Sequence, residues 1–357
     1  MVGGGFMAAT HTRAARAAGA ELVALVSSSA AQAQAAAGRL GYARAHTDIE
    51  ELVSAPDIDL VHICSPNATH LPIALAALSA GKHVVCEKPL AMTGASAETL
   101  ATAAAASGSV ATVPFVYRFH PMVREARERV RRGDLGELLT IEGHYLQDWL
   151  LDASDDNWRV DADVGGPSRA FADIGSHLVD LLEFVSGERI TRLTAVKRIV
   201  HGHRGDHQEV TTEDSVALAF EGSTRAIGTL LVSQVAPGRK NHLVLELTGS
   251  RESIRFEQER PDELWLGRRT GGTLLPRDPD QLTPGAARLS VLPAGHPLGY
   301  QDAFNAFVVD TYAALHGPAP DGLPTFADGL RAARITDAVL VSAEQGGWVE
   351  PCGAALP

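Results

Sequence analysis

The chain has few cysteines and almost no lysine, and no long apolar run. Its 357 residues include three cysteines, Cys64, Cys86 and Cys352. They are widely separated and odd in number, which offers neither a disulfide framework nor the close pairs of a zinc site. They are expected to be buried, inert thiols, and no metal is expected elsewhere. No apolar run approaches the ~18 residues of a membrane-crossing helix. The opening Met1-Val2-Gly3-Gly4-Gly5 lacks a basic segment and an apolar core, so no secretory signal is expected and the protein is taken as cytoplasmic. Positive charge is short as well: 31 Lys and Arg against 43 Asp and Glu leave a net charge of −12. That balance argues against nucleic acid and anionic membranes as main partners. An anionic ligand would have to be met locally, by backbone N–H groups or a helix N-terminus. Lysine is confined to Lys82, Lys88, Lys197 and Lys240, which makes each one easier to weigh.

What is present reads as a globular protein, with 45% hydrophobic and 21% charged residues. Its length favours two domains over one core. Over residues 1–117, short apolar runs alternate with alanine-rich helical segments. Helices are expected at 6–18, 30–40, 71–80 and 93–107, with Thr47 and Glu50 forming a capping box for another short one. Strands are expected at 21–26, 60–64, 83–86 and 110–116. Strands joined by helical crossovers imply a doubly wound parallel sheet covered on both faces, the Rossmann arrangement. Only Met1 and Val2 precede the first glycine, so either the first strand is stunted or the sequence begins downstream of its natural start.

The texture changes over 118–357, where an α+β domain with a large, mainly antiparallel sheet is expected. Pro121 opens a helix to 132, and 138–146 is strand-like. A helix covers about 170–185. Strand-like runs at 190–201, 209–220, 224–235, 242–248, 252–258 and 263–267 then suggest an antiparallel meander. Residues 268–299 read as a long loop, and helices near 300–315 and 326–345 close the chain. The exposed sheet face is a candidate for self-association.

Several clusters carry chemistry. Gly3-x-Gly5-x-x-Ala8 allows a tight strand-to-helix turn, close approach of a pyrophosphate and amides aimed at its charge. At the end of the second strand, where an acid often binds the adenosine ribose, stand Ser27 and Ser28. Hydroxyls without a carboxylate favour NADP(H) over NAD(H), although a simple serine turn is compatible with either. Ser65-Pro66-Asn67-x-x-His70 follows another strand at the sheet edge where ligands sit, and Asn67 alone would serve as a helix cap. Glu87-Lys88-Pro89 places a lysine at the same edge, suited to stabilising an alkoxide. A surface lysine would explain it as well, and the following proline admits a cis bond. Asp173, Gly175, His177 and Asp180 share adjoining parts of one helix face, so a carboxylate can orient a histidine for proton transfer. A structural His–Asp contact is the plainer reading.

Taken in order, Gly3 to Ala8, Ser65 to His70, Gly81 to Pro89 and Asp173 to Asp180 resemble the Gfo/Idh/MocA family of oxidoreductases over nearly the whole chain. Tyr145 to Trp149, followed by Trp158-Arg159, is similar to that family's sugar dehydrogenases. The resemblance implies an NAD(P)-dependent dehydrogenase acting on a sugar or polyol. It implies catalysis by Lys88, Asp173 and His177, and cofactor contacts from Gly3, Gly5, Phe6, Met7, Ser27, Ser28, Ser65, Pro66, Asn67, His70, Glu87, Lys88 and Arg159. Tyr117, Arg118, Gln147, Asp148 and Trp149 would join Asp173 and His177 in binding substrate. A homodimer or homotetramer through the C-terminal sheet is implied too. Alternatives are a glycoside hydrolase that uses NAD transiently, a dehydrogenase for a non-sugar substrate, and a non-catalytic NAD(P)-sensing protein.

Overall fold

Apolar runs too short for helices become strands in the computed structural model, which describes residues 1–351. Cys352 lies outside the described residues. The chain divides into two compact units, residues 1–116 with 300–333, and residues 117–299 with 334 onward.

In the first unit, β1 (Ala24–Val26) pairs in parallel with β2 (Arg44–His46). β3 (Leu60–Ile63), β4 (His83–Cys86) and β5 (Ala111–Thr112) form a second parallel set. Val2 joins the two sets, bridging both Val26 and Ile63. Its N–H donates to the His62 carbonyl and its own carbonyl accepts from Cys64 N, each at 2.8 Å. The short first strand is thus a single residue that still completes the sheet. Val61, Ile63, Val84 and Val85 are wholly buried, which accounts for the unbroken apolar runs of strands covered on both faces.

Helices Phe6–Ala17, Ala30–Leu40, His70–Ser79 and Gly94–Ser107 link these strands. Ser29 and Thr93 cap two of them by accepting from the backbone N–H three residues on. One expectation needs correcting. Helix Ile49–Val53 is capped by Asp48, which accepts from Glu50 N at 2.9 Å; Thr47 stands one residue too early. The last expected strand is also shorter, since Val116–Phe119 tightens into a 3₁₀ turn. Helix Tyr300–Ala313 returns to this unit and packs on Phe6–Ala17.

The second unit is built on eight strands: β6 (Leu138–Leu146), β7 (Ile190–Arg198), β8 (Ser215–Gly222), β9 (Ile227–Ser233), β10 (His242–Gly249), β11 (Ser253–Glu257), β12 (Glu263–Arg268) and β13 (Gly271–Pro276). Their order is β13-β12-β11-β10-β6-β9-β8-β7. Every pairing is antiparallel but β6 with β9. The expected meander is therefore broken, because β6 arrives from earlier in the chain and inserts between β9 and β10. The expected loop at 268–299 also holds β13 and a helical turn, Pro284–Ala287. Helices Pro121–Arg131 and Ser176–Ser186 cover one sheet face, and Ile141, Gly143 and Tyr145 alternate toward it. Helix Phe326–Gln345 starts in the first unit and ends in the second.

Candidate active site

In the first unit the glycine turn is shaped by sterics. Gly3 has φ +96°, and a Cβ there would stand 2.7 Å from the Cys64 carbonyl oxygen. Gly5 precedes helix Phe6–Ala17, has an ordinary φ of −82°, and nothing lies within 4 Å of where its Cβ would be. The backbone there is open to an approaching group, at a helix N-terminus of twelve residues. Ala8 is fully buried, Met7 half-buried and Phe6 74% exposed at the turn. Arg39, at the end of helix Ala30–Leu40, donates to the Gly4 carbonyl. This arginine was missed in the sequence because it is distant from Ser27 along the chain. Ser28 Oγ donates to Gln32 Oε1 at 2.6 Å, and Ser27 is half-buried.

The loops after β3 and β4 are tied together by His70. Its Nδ1 lies 2.9 Å from the Pro89 carbonyl and its Nε2 3.0 Å from that of Ser65. Burial outweighs these contacts and lowers His70 below the usual imidazole range, so the neutral ring donates from one nitrogen only. One nitrogen donates to a backbone carbonyl and the other abuts the second, which makes His70 a clamp behind the loops. Ser65 Oγ bonds to Thr69 Oγ1 at 2.6 Å, Pro66 opens the short 3₁₀ turn and Asn67 is buried within it. The Lys88–Pro89 peptide is cis, and Glu87 Oε2 accepts from Lys88 N at 3.1 Å.

The second unit carries the other cluster. Residues 171–175 form one π-helical turn that runs into the α-helix Ser176–Ser186. Such a bulge changes which way the side chains on either side of it point, and is common at functional sites. Asp173 is on the π-turn and His177 at the start of the α-helix. Asp173 Oδ1 lies 3.3 Å from Arg159 Nε, and Asp173 Oδ2 accepts from Gln234 Nε2 at 2.9 Å. His177 is 6% exposed and meets the Tyr117 ring edge-on, with centroids 5.0 Å apart.

A polar chain extends from there. Tyr117 and Tyr145 hydroxyls are 2.5 Å apart. Tyr145 Oη and Gln147 Nε2 both donate to Asn241 Oδ1, at 2.6 and 2.9 Å, and Trp149 Nε1 donates to Gln147 Oε1 at 2.7 Å. Burial pushes the Tyr117 phenol above its ordinary value despite its partners Tyr145 and Asn241, so it stays protonated. Asp148 faces elsewhere, accepting from Lys240 Nζ at 2.7 Å and Gly238 N at 3.0 Å. Arg118 is buried in an ion pair with Asp180, its Nε 2.8 Å from Oδ2, under the Phe184 ring. Asp180 thus answers Arg118, whereas the sequence pattern grouped it with His177.

Behind the π-turn lies a buried charge cluster that the sequence did not reveal. Glu213 Oε1 accepts from Ser168 Oγ, Arg169 N and Phe171 N at 2.8–3.1 Å, capping the turn. Asp214 pairs with both Arg169 and Arg204, and all three are essentially unexposed. Farther along the sheet, His242 Nδ1 lies 3.0 Å from Glu259 and 3.8 Å from Glu257, a group close enough to offer three donors to a cation. The ring–carboxylate bond by itself accounts for that approach.

Residues 1–115 match a family described as an oxidoreductase family with an NAD-binding Rossmann fold, and residues 123–255 match the GFO/IDH/MocA C-terminal domain. The chain is similar to levoglucosan dehydrogenase from Pseudarthrobacter phenanthrenivorans, with 32% identity over 345 residues covering 88% of this chain and 85% of that protein. Among solved structures, levoglucosan dehydrogenase in complex with NADH and L-sorbose superposes with a TM-score of 0.92 at 31% identity, covering 99% of this chain and 98% of that one. An oxidoreductase domain protein from Kribbella flavida gives 0.91 at 35%, with the same coverage.

Proposed function

Because the chain belongs to the Gfo/Idh/MocA family of oxidoreductases, we propose that it is a dehydrogenase moving hydride between a nicotinamide dinucleotide and a secondary alcohol of a sugar or polyol. The observation that carries this reading is the π-turn that presents Asp173 and His177 beside a hydroxyl- and amide-rich rim. Polyols suit such a rim, since Trp149 offers a ring for C–H faces and Gln147, Asn241 and Arg159 offer groups for hydroxyls.

The residues of the first unit fit a dinucleotide. The open space at Gly5, the helix N-terminus behind it and the loops at Ser65–Asn67 and Glu87–Lys88 would hold it. When bound, the dinucleotide supplies the hydride acceptor. His177 takes the proton from the substrate hydroxyl, and Asp173, fixed by Arg159 and Gln234, orients that histidine and binds a neighbouring hydroxyl. Lys88 stabilises the negative charge on the carbinol oxygen. Residues 1–117 are assigned to the dinucleotide, with 300–333 returning to the same unit, and the rest of 118–357 to substrate and self-association.

Ser27 and Ser28 at the end of β1 present no carboxylate to repel a 2′-phosphate, and the Arg39 guanidinium stands at the glycine turn. The finer assignment is therefore NADP(H). Self-association is assigned to the outward sheet face, where Val196, Ile227 and Leu231 are 68, 57 and 44% exposed. A second copy of the chain is the expected occupant, and Leu231→Arg should convert it to a monomer in sedimentation.

The test is a titration with NADPH and NADH followed by energy transfer from the four tryptophans, then oxidation assays on a panel of sugars that includes levoglucosan. Saturable binding with cofactor reduction on a sugar supports the proposal. Binding without turnover on any sugar or polyol would overturn the substrate class, and no binding of either dinucleotide would overturn the whole reading.

A further inference from the structure

Four side chains in the first unit form an unbroken chain of hydrogen bonds, buried except at the half-buried Tyr312. Tyr312 Oη lies 3.0 Å from His62 Nε2, His62 Nδ1 lies 2.8 Å from His11 Nδ1, and His11 Nε2 lies 2.9 Å from Glu87 Oε1. Glu87 Oε2 accepts from the backbone N–H of Lys88 at 3.1 Å. His11 is fully buried, and His62 and Glu87 are 5 and 6% exposed. Such a chain is costly in an apolar helix–sheet layer unless each member is satisfied.

It is satisfied in two ways that differ by one proton. In the first, Tyr312 donates to His62 Nε2, His62 Nδ1–H donates to His11 Nδ1, and His11 Nε2–H donates to Glu87. Both rings are then neutral. In the second, a proton from water reaches the Tyr312 oxygen as its own passes to His62 Nε2. The Nδ1 proton of His62 moves to His11 Nδ1, and His11 becomes an imidazolium paired with the Glu87 carboxylate. His62 ends neutral, with its proton on the other nitrogen. All bonds survive, each reversed in direction between Tyr312 and His11.

The chain also has an entrance. Tyr312 and His62 line a cleft of about 560 Å3, together with Glu21, Asp59 and His316, where β3 begins. Glu87 and Lys88 follow the last residue of β4, at the opposite edge of the sheet. The groups around the chain are Phe304, whose ring lies 4.6 Å from that of His11, the Met1 amino group near His62, and Cys64, Cys86 and His70 around Glu87. Burial, then His11 and the amino group, hold His62 well below the ordinary imidazole range. The carboxylate in hydrogen-bond contact with the chain stands at its far end, with Glu87 Oε1 2.9 Å from His11 Nε2, so an added proton is drawn past His62 toward that end.

We propose that Tyr312, His62 and His11 are a one-proton relay that sets how much of the Glu87 charge is left to Lys88. With His11 neutral, the carboxylate acts in full on its neighbour; with His11 protonated, it is largely offset. His11 and His62 are thus positioning residues for Lys88, an inference that rests on the proposed role of that lysine.

The experiment follows histidine 15N shifts of the full chain against pH, without nucleotide, with signals assigned through His11→Gln and His62→Gln. The expected result is a coupled switch: as pH falls, His11 gains charge and His62 changes tautomer at the same midpoint while staying neutral. A fixed His62 tautomer, or separate midpoints, would overturn the relay. Tyr312→Phe keeps the ring and removes the hydroxyl; it should abolish the coupled His62 tautomer switch, and a switch like that of the parent chain would also overturn the proposal. With levoglucosan and NADP+ or NAD+, the same variant should lower kcat about tenfold on the acid side and leave KM unchanged, less than the ~100-fold of a group touching the reacting atoms. An unaltered acid limb would sever the link to Lys88. A chain that oxidises no sugar would sink the assigned reaction, with the relay still decided by the nitrogen shifts.

Discussion

Gln234 Nε2 donates to Asp173 Oδ2 at 2.9 Å, which ties the residue after β9 to the π-turn ahead of His177. The amide orients the carboxylate without reaching the reaction itself. Gln234→Leu keeps the volume and removes this donor. It should lower kcat roughly tenfold, ~1.4 kcal/mol at the transition state, with little change in dinucleotide affinity. Steady-state kinetics beside a binding titration distinguish this from general damage.

His177→Ala should reduce turnover by about 100-fold or more if the imidazole moves the substrate proton. Lys88→Met should do the same with no loss of stability, since its side chain is half-buried at a sheet edge. Near-normal rates in either variant would remove that residue from the mechanism.

The two turn glycines should fail differently. Gly3→Ala puts a Cβ against the Cys64 carbonyl at a positive φ, so a loss of about 1–3 kcal/mol in stability is expected. Gly5→Ala meets nothing and needs no unusual backbone, so the melting temperature should hold while the dinucleotide Kd rises about tenfold or more. Equal losses of affinity and stability in Gly5→Ala would contradict the assignment of that space to the ligand.

Asp214 sits between two buried arginines. Burial pushes its carboxyl up, but Arg169, the Val200 amide and Arg204 outweigh this and leave it below the ordinary range. Its contribution to stability is therefore complete above the unfolded carboxylate pKa of ~4 and is lost as pH falls through the lowered folded value. Asp214→Asn leaves two guanidinium groups underpaired and should cost about 3–5 kcal/mol in urea unfolding at neutral pH.

His120 behaves oppositely to a paired histidine. Burial takes it down to about 4, with Asp262 opposing weakly, and its ring lies parallel to that of Tyr117 at 5.9 Å. The folded state then binds fewer protons than the unfolded one between pH ~6.5 and that value. Stability should fall steadily as pH drops through this window, and His120→Phe should flatten the slope of melting temperature against pH.

Local pattern made most of the parallel sheet legible, though not the polar strand Arg44–His46, since short apolar runs between helical segments leave little choice of fold. Helix 326–345 and the Thr93 cap were legible for the same reason. The i, i+4 spacing of Asp173 and His177 put both on one helix, but the partners of that segment's carboxylates, Asp173 and Asp180, come from far along the chain. Gln234 is 61 residues from Asp173, and Arg118 is 62 from Asp180. Tyr145 and Asn241, 96 residues apart, meet only because β6 inserts beside β10. No periodicity announces such a pairing. His62 was silent as a single polar residue in an apolar strand, and His11 because it stands among Thr10, Thr12 and Arg13, where one more polar side chain carries no signal.

The return of residues 300–333 to the first unit has a consequence for building hybrids. Helix Tyr300–Ala313 brings Phe304 and Tyr312 to His11 and His62, so a contiguous piece ending at residue 116 would leave that layer uncovered. Exchange of cofactor preference between relatives by cutting and joining therefore requires two inserts in one gene. A single crossover would bring together a sheet and a returning helix that were never selected to fit each other.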